Sequence, residues 1–553
     1  MIRSRNSILP GYAPASTLCA ALLLLPTLAP GQTRLYAFES RYEKLCTHFG
    51  TAVASAGDLN RDGFADVIVG ADMARNGNGA YAGAAIVYSG KDGRILFLLQ
   101  GNKGSSFGHS VSGLGDVNRD GFPDLAVGAP TTNANGFLSG SVFVYSGKDA
   151  SILHTFHGDA TRHYFGRAVS GGGDFDRDGH ADLIVGSDKN YVRIYSGKTG
   201  KMLREIRGVL GTGFGIRLAG AGDVNRDGWP DLVIGAPLTK SVARDSGSAY
   251  VYSGKDGRLL YAFHGRAEGE QFGRTVAGAG DVNRDGYADV IVGADYWYGN
   301  RRSHCGYARV LSGRNGNTLY LFISPCTKLD WFGWRVSGAG DTNGDGYADF
   351  LVAALDQVFL YSGKDGSKLA VYEDEPEGSF SFGWSVSGAG DVNGDGFADV
   401  VIGEYCGQKG RSVVHVFAGN HIALSADKSA LSLAKSESLT FQLDARKVQR
   451  IKLYLLLGSL SGWHPGLQLG SVRLPLKADP YFLLSLASPN NVVLSRSLGL
   501  LDGNGRGFAR LTLPPGLPPG LAGLTMHHAF VAIDLTLGSP DFASNPVATK
   551  IVR

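Results

Sequence analysis

The sequence predicts an all-β protein, a seven-bladed β-propeller followed by a C-terminal β-sandwich. Three observations support this prediction. An acidic string, D-x-(D/N)-x-D-G-x-x-D, occurs seven times in the 553 residues, and its copies start 49 to 60 residues apart. A Phe-Gly pair precedes every copy, always with nine residues from the Phe to the first Asp. Every unit except the seventh also contains four short strand patterns, which is typical of propeller blades.

Residues 107–158 show the elements of one unit in order. The small-residue strand HSVSGLG leads into the acidic loop DVNRDGFPD, and the apolar segment LAVGAP that follows predicts a strand buried on both faces. GSVFVYSG alternates as a half-buried strand does, and SILHTFHG forms the fourth strand after a short turn. Asp-Gly in the matching turns SGKDG supplies the positive φ of a tight hairpin. A linear array of small modules is the alternative, but no linkers separate the units.

Ring closure and the domain boundary can also be predicted. The seventh unit lacks a fourth strand, whereas RLYAFES at 34–40 parallels the fourth strand RLLYAFHG at 258–265 and precedes a Phe-Gly pair. We therefore predict that residues 34–40 complete the last blade of a propeller that spans 32–420. The repeats stop near 421, and strand patterns separated by Gly and Pro turns predict a β-sandwich at 421–553.

The acidic loops indicate a calcium site in every blade. Positions 1, 3, 5 and 9 carry Asp, or Asn at position 3, position 6 is always Gly, and position 7 offers a backbone carbonyl. Six or seven oxygen ligands are what Ca²⁺ prefers. An EF-hand is excluded because position 12 is apolar. An acidic, solvated turn is the alternative, but seven complete copies favour up to seven Ca²⁺ ions. The predicted ligands are Asp58, Asn60, Asp62, Asp66, Asp116, Asn118, Asp120, Asp124, Asp174, Asp176, Asp178, Asp182, Asp223, Asn225, Asp227, Asp231, Asp281, Asn283, Asp285, Asp289, Asp341, Asn343, Asp345, Asp349, Asp391, Asn393, Asp395 and Asp399.

Position 7 of these loops carries a ring, which we expect to pack between blades rather than to touch the metal. The seven residues are Phe64, Phe122, His180, Trp229, Tyr287, Tyr347 and Phe397.

The N-terminus predicts export. Arg3 and Arg5 precede an apolar run at 17–29, and small residues follow, so residues 1–31 are predicted to be a cleaved signal peptide. An uncleaved anchor is the alternative, although the run is short for a membrane span. We expect a protein that is secreted, extracellular or in the cell envelope, with no membrane span in the mature chain and no nucleic-acid partner.

Four cysteines remain after the signal, which in an exported protein suggests two disulfides. Cys305 and Cys406 lie in loops after the second strand of units five and seven, while Cys326 and Cys46 lie just before the Phe-Gly pairs of units six and one. The pairs Cys305–Cys326 and Cys46–Cys406 would each join one blade to the next. Four unpaired thiols are the alternative.

The repeated motif resembles the FG-GAP repeat, which builds the propeller of integrin α-subunit heads and of related secreted bacterial proteins. The likeness covers about 34–420 and is fullest in unit two, with Phe107-Gly108, Asp116 to Asp124 and Gly128-Ala129-Pro130. It implies a propeller fold, Ca²⁺ and extracellular binding. Gly-Ala-Pro is altered in five units, and the inserted domain and leg domains of integrins have no counterpart, so the resemblance does not imply a signalling receptor.

We predict a non-catalytic binding or adhesion module for an extracellular protein or polysaccharide, built on a monomeric propeller. Its ligand is expected at the rim or on the face opposite the acidic loops, in the variable loops after the second strands. The segment 295–306 contains aromatic rings and arginines that suit sugars or anions, and an ordinary surface loop held by Cys305 is the alternative. The residues are Tyr296, Trp297, Tyr298, Arg301 and Arg302.

Two other functions stay open. One is a polysaccharide-active enzyme, a lyase or hydrolase on a propeller scaffold, although HExxH does not occur in the sequence. The other is a purely structural component of the envelope.

Overall fold

The structure is a computed structural model that describes most of the repeat region and a set of strands beyond it. The described residues are 34–39, 47–76, 79–295, 306–324, 331–373, 381–394, 396–405, 412–419, 423–426, 430–432, 438–444, 452–459, 467–469, 472–474, 489–490, 494–500, 506–512, 525–534, 539–543 and 547–552. The predicted signal peptide, the four cysteines, the five residues proposed from the segment 295–306, and Asp395 lie outside them. In the described part, no helix is long and apolar enough to cross a membrane.

The repeat region is built from strands of five to nine residues. In chain order they are β1 (Arg34–Glu39), β2 (Phe49–Gly57), β3 (Asp66–Ala71), β4 (Ala84–Tyr88), β5 (Ile95–Gln100), β6 (Ser110–Gly115), β7 (Asp124–Ala129), β8 (Ser141–Tyr145), β9 (Ile152–His157), β10 (Ala168–Gly173), β11 (Asp182–Ser187), β12 (Tyr191–Tyr195), β13 (Met202–Arg207), β14 (Leu218–Gly222), β15 (Asp231–Ala236), β16 (Ser248–Tyr252), β17 (Leu259–His264), β18 (Thr275–Gly280), β19 (Asp289–Ala294), β20 (Tyr307–Leu311), β21 (Thr318–Ile323), β22 (Arg335–Gly340), β23 (Asp349–Ala354), β24 (Gln357–Tyr361), β25 (Lys368–Glu373), β26 (Phe382–Gly390), β27 (Asp399–Glu404) and β28 (Val413–Phe417).

These strands form seven four-stranded antiparallel sheets, the blades of a seven-bladed β-propeller. Blades one to six follow chain order, beginning with β2-β3-β4-β5. The first strand of each blade contacts the first strands of both neighbouring blades, and β26 contacts β2. The first strands therefore form a closed inner ring around the axis, which confirms the fold predicted for the repeats.

The seventh blade joins the two ends of the repeat region. Its sheet has the order β1-β28-β27-β26, and β1 runs antiparallel to β28 from Arg34 opposite Phe417 to Glu39 opposite Val413. The Phe38 ring stacks on Tyr88 of blade one at 3.9 Å. One sheet thus joins residues almost 380 positions apart, and β1 covers the edge that β28 would otherwise expose.

The hydrophobic core lies between blades rather than within them. In each blade, the second strand is completely buried, as the apolar residues that follow its first Asp predict. The Phe of each Phe-Gly pair is at most 6% exposed and packs in the cluster that joins two blades. Burying one such ring stabilises the fold by about 1.5–3 kcal/mol.

The Gly of the GAP segment is required by a close approach of backbone. A methyl group on Gly70 would lie 2.0 Å from the carbonyl oxygen of Gly108, the Gly of the next Phe-Gly pair. The same contact recurs between Gly128 and Gly166 at 2.1 Å. Each GAP glycine thus lets the following blade pack against the second strand.

The part of the chain described beyond the propeller contains twelve strands. They are β29 (Ala423–Ala426), β30 (Ala430–Ser432), β31 (Ser438–Asp444), β32 (Lys452–Ser459), β33 (Leu467–Leu469), β34 (Val472–Leu474), β35 (Leu494–Ser495), β36 (Leu498–Leu500), β37 (Arg506–Thr512), β38 (Thr525–Asp534), β39 (Ser539–Ala543) and β40 (Val547–Val552). They form the sheets β29-β31-β37-β35 and β30-β40-β38-β32-β36, with β39 beside β38, and the pair β33-β34. The β-sandwich and the boundary at 421 stay predictions.

Candidate functional site

Antiparallel pairing of the first two strands gives every blade two distinct ends. In blade two, Gly115 pairs with Asp124 at one end, and the acidic loop 116–124 joins them there. Ser110 pairs with Gly128 at the other end, next to the Phe-Gly pair. All seven acidic loops therefore lie at one end of the blades, and we call this the acidic face. The residues around the Phe-Gly pairs lie at the opposite end.

The carboxylate at position 1 organises each acidic loop. One of its oxygens accepts the N–H of the position 6 Gly at 2.7–2.9 Å in all seven loops. In the six loops described at position 5, its other oxygen accepts the N–H of that residue at 3.0–3.2 Å. The position 3 side-chain oxygen accepts the same N–H at 2.9–3.2 Å. These bonds hold the oxygens of positions 1 and 3 toward the inside of the loop.

The Asp at position 9 is the buried member of the set, with 0% exposure in every blade. One oxygen accepts the N–H of position 2 at 2.7–3.0 Å. The other accepts the N–H of the Gly in the turn after the third strand at 2.8–3.1 Å. In Asp231, Asp349 and Asp399, the oxygen that accepts the position 2 N–H accepts a second hydrogen bond. The carboxylate thus anchors the loop, and a carboxylate oxygen that accepts only one N–H can also bind a cation.

Burial makes the charge on position 9 costly. It raises the pKa of Asp289 to about 7, and it raises to about 6 the pKa of Asp66, Asp124, Asp182, Asp231 and Asp349. Neighbouring carboxylates, such as Asp62 beside Asp66, raise it further, and the backbone hydrogen bonds lower it. A bound cation would reverse this preference because it stabilises the ionised form.

The third loop has a carboxylate at position 3 as well as at positions 1, 5 and 9. Oxygens of Asp174, Asp176 and Asp182 lie within 4.8 Å of one another. Oxygens that share one Ca²⁺ at about 2.3–2.6 Å are separated by no more than about twice that distance. The donors, all hard oxygens, and their separation both fit a Ca²⁺ ion. The other six loops carry the neutral oxygen of Asn at position 3.

Comparisons with known proteins agree with this geometry. The FG-GAP repeat model matches residues 49–88, 107–145, 272–311 and 382–417, and an FG-GAP-like repeat model matches 174–234. Integrin alpha-6 of Homo sapiens is 38% identical over 160 residues, which is 28% of this chain and 14% of that protein. Integrin alpha-7 of Rattus norvegicus is 39% identical over 154 residues, which is 26% of this chain and 13% of that protein. The chain carries FG-GAP repeats.

The match thus spans only a small part of the integrin α-subunits. Among solved structures, the crystal structure of BBS1N in complex with ARL6DN, soaked with lead, covers 70% of this chain and 97% of its own, with a TM-score of 0.45 and 11% identity.

Contacts at position 4 link the acidic loops of neighbouring FG-GAP repeats. Arg61 has a positive φ of 56° and donates to the carbonyl of Gly121 at 2.8 Å, with its guanidinium 4.0 Å from the Phe122 ring. Arg177 contacts Gly228 and lies 3.5 Å from the Trp229 ring. Five repeats have Arg at position 4, and the two with Gly there pack it against the Phe ring of the next loop. The position 7 rings therefore pack between blades, as the sequence predicts.

The opposite end of the FG-GAP repeats carries a ring of polar and aromatic side chains that the sequence interpretation missed. We call it the axial ring, because its members follow or precede the Phe-Gly pairs or end the second strands around the axis. They are His48, Asp72, His109, Arg167, Asp188, Arg217, Arg274, Asp295, Trp334, Arg335, Trp384 and Tyr405. The sequence does contain an indication of this ring, because the residues beside the Phe-Gly pairs change from repeat to repeat while their surroundings stay constant.

Blades one, two and seven contribute a hydrogen-bonded chain to the axial ring. The carboxylate of Asp72 accepts from Nδ1 of His48 and from Nδ1 of His109, both at 2.8 Å. The Tyr405 hydroxyl lies 2.8 Å from Nε2 of His48. Burial alone would raise the pKa of Asp72, but the two histidine hydrogen bonds lower it to about 2. Each oxygen of the Asp72 carboxylate is therefore hydrogen-bonded to one of the two histidines.

Blades three to six contribute four arginines. Arg167 pairs with Asp188 at 2.9 Å, and Arg274 lies 3.8 Å from Asp295. Burial and the neighbouring guanidinium groups of Arg167 and Arg274 lower the pKa of Arg217 to about 10. Burial also lowers the pKa of Arg335 well below its usual range, and Arg217 lowers it further. Like charges are thus crowded at this end of the axis.

Blades six and seven contribute aromatic rings. Trp334 and Trp384 lie 5.4 Å apart between ring centres, and Trp384 stacks on Tyr405 at 4.5 Å. Together with Trp331 and Leu355, the two indoles line a small pocket. The axial ring therefore has a cationic side and an aromatic side that meet at blade six.

Proposed function

We propose that this protein is a calcium-stabilised, non-catalytic binding module that acts outside the cell on an extracellular protein or glycan. The observation that carries the metal part is the acidic face, where loops of one design repeat around the ring. Position 9 supports this most strongly, since a buried Asp that is costly to ionise recurs in every blade. Removing Ca²⁺ would leave clustered carboxylates facing one another.

The binding part of the proposal rests on the FG-GAP repeats and on their identity to integrin α-subunits over the matched segment. The propeller presents its varied side chains at the end opposite the metal loops. Rigid elements that hold a non-repeating surface are typical of recognition modules. We place the ligand at that end, and we retain 295–306 as a further candidate segment.

Export and the disulfides complete the proposal. The predicted signal at 1–31 would bring the chain to an oxidising compartment, where the pairs Cys46–Cys406 and Cys305–Cys326 would form. Mass spectrometry of the non-reduced protein after proteolysis would identify the linked peptides. Alkylation of all four cysteines without prior reduction would show that they are free thiols and would contradict this part of the proposal.

Two measurements test the proposed function. Chelation should lower the melting temperature and Ca²⁺ should restore it, whereas an unchanged melting temperature would contradict the metal assignment. The purified protein should also retain polysaccharides from a panel without releasing shorter products. Cleavage of any of them would favour an enzyme instead.

A further inference from the structure

The axial ring contains more guanidinium groups than its carboxylates neutralise. Within the described residues, Arg217 and Arg335 form no ion pair, and the hydrogen bonds seen for their guanidinium groups go to the carbonyls of Ile216 and Trp334. These carbonyls belong to the adjacent residue of the chain in each case. Because two unpaired cations lie beside two paired ones, the site is suited to an anion.

Several buried polar atoms of the axial ring also lack hydrogen bonds. In the described part of the chain, Oδ1 of Asp295, Oδ1 of Asp188 and Nε of Arg167 have no partner. The Asp295 side chain is only 4% exposed, so its free oxygen carries a real desolvation cost. A ligand that completes this set must donate hydrogen bonds to carboxylates and accept them from a guanidinium, as hydroxyl groups do.

The aromatic side of the axial ring offers an apolar surface beside the arginines. The Arg335 guanidinium lies 4.3 Å from the Trp334 ring and 5.8 Å from the Trp384 ring, so it is next to both indoles. A pyranose ring packs its C–H face on an indole and directs its substituents sideways. A carboxylate on such a ring would lie within reach of Arg335.

We propose that the axial ring binds an acidic saccharide, with a sugar ring against the indoles of Trp334 and Trp384 and its carboxylate at Arg335 and Arg217. Sugar hydroxyls complete the hydrogen bonds of Asp295 and Asp188. This inference rests on the proposed binding function and specifies its ligand class and site. A peptide rich in Asp or Glu would match the arginines, but it lacks the hydroxyls and the flat apolar face that the rest of the ring requires.

Isothermal titration calorimetry on the full-length protein at fixed free Ca²⁺ tests this proposal. The probes are tetrasaccharides of hyaluronan, alginate and polygalacturonate, each with its carboxyl-reduced counterpart, and a hexaglutamate peptide. At least one acidic tetrasaccharide should bind, and its reduced counterpart should bind about 10- to 100-fold more weakly, as expected for losing a charge-assisted hydrogen bond. Equal binding of both forms, preferential binding of hexaglutamate, or no binding of any tetrasaccharide would overturn the proposal.

Variants separate this proposal from the general function. Arg335→Gln and Trp384→Ala should each weaken binding about tenfold or more. Arg335→Lys retains the charge without the planar guanidinium, so its affinity should lie between those of the wild type and Arg335→Gln. Arg258→Gln is the matched control, because that exposed arginine lies in the turn before β17, outside the axial ring. If the protein binds polysaccharide and the ring variants bind equally well, the binding function stands and the axial site is wrong. Melting temperatures in Ca²⁺ verify that each variant is folded.

Discussion

At the acidic face, seven loops repeat one set of hydrogen bonds, whereas at the opposite end of the same strands the blades contribute side chains of several kinds. The Asp at position 9 has the same two backbone partners in each blade. Beside the Phe-Gly pair, by contrast, stand His109 in blade two, Arg274 in blade five and Trp384 in blade seven. Repetition marks what every blade needs in order to fold, and variation marks where the molecule is free to recognise something.

The charges of the two ends are also opposed. The acidic face gathers carboxylates around positions that a divalent cation fits, while the axial ring gathers guanidinium groups around a position that an anion fits. In both arrangements, like charges repel one another unless an ion of opposite charge is bound. We expect the two ends to respond separately to ligand removal and to substitution.

Removal of Ca²⁺ should have the largest effect. If the loops hold cations, chelation removes several ligands that bind only the folded state, and the melting temperature should fall by about 10 °C or more. Calorimetry before and after dialysis against chelator, followed by Ca²⁺ addition, measures this change. Arg335→Gln should show the same fall as the wild type. A chelation effect that disappeared in that variant would show that the two ends are coupled.

Truncation of a position 9 carboxylate should have the second largest effect on stability. Asp182→Ala leaves the N–H groups of Phe175 and Gly197 without their acceptor inside the blade. We expect the free energy of unfolding to fall by about 2–5 kcal/mol, measured by urea denaturation in Ca²⁺. The exposed Asp256→Ala is the control and should change it by less than about 0.5 kcal/mol. Equal effects of the two substitutions would contradict the anchoring role of position 9.

The metal-free protein should respond to pH in an unusual direction. Six position 9 carboxyls have a pKa of about 6 or 7 in the fold, against an ordinary value of 3.8. A raised pKa means that the folded state binds the proton more tightly, so its stability is highest below about 4 and is lost as the pH rises through 6 to 7. After chelation, the melting temperature should therefore be higher at pH 5 than at pH 7.5, by roughly 2–5 °C.

With Ca²⁺ present, the order should reverse, because protons then compete with the cation. A metal-free melting temperature that dropped on acidification to pH 5 would contradict the burial of these charges.

Loss of a link between loops should have the smallest effect. Arg177→Ala removes the contacts with Gly228 and the Trp229 ring. We expect a loss of about 1 kcal/mol in the free energy of unfolding, by urea denaturation in Ca²⁺. Arg258→Ala should change it little, because its side chain is 65% exposed and its carboxylate partner is distant at 3.8 Å. A loss as small as the control's would show that the blades do not depend on this link.

The fold could be predicted from sequence because its determinants are local and repeated. Seven Phe-Gly pairs and seven acidic strings fix the blade count, and the likeness of 34–40 to 258–265 indicates where β1 pairs. The axial ring could not be predicted in this way. Arg217 and Arg335 are 118 positions apart in sequence, and they meet only because the ring brings the starts of the first strands around one axis.

The most direct test of the central claim is a count of bound Ca²⁺ per chain by native mass spectrometry, on the wild type and on Arg335→Gln. The loops of the acidic face predict several ions on each chain, up to seven, with the same number in both proteins, since the axial ring contributes no cation ligand. A wild-type chain that carries no Ca²⁺ at millimolar free Ca²⁺ would contradict the account.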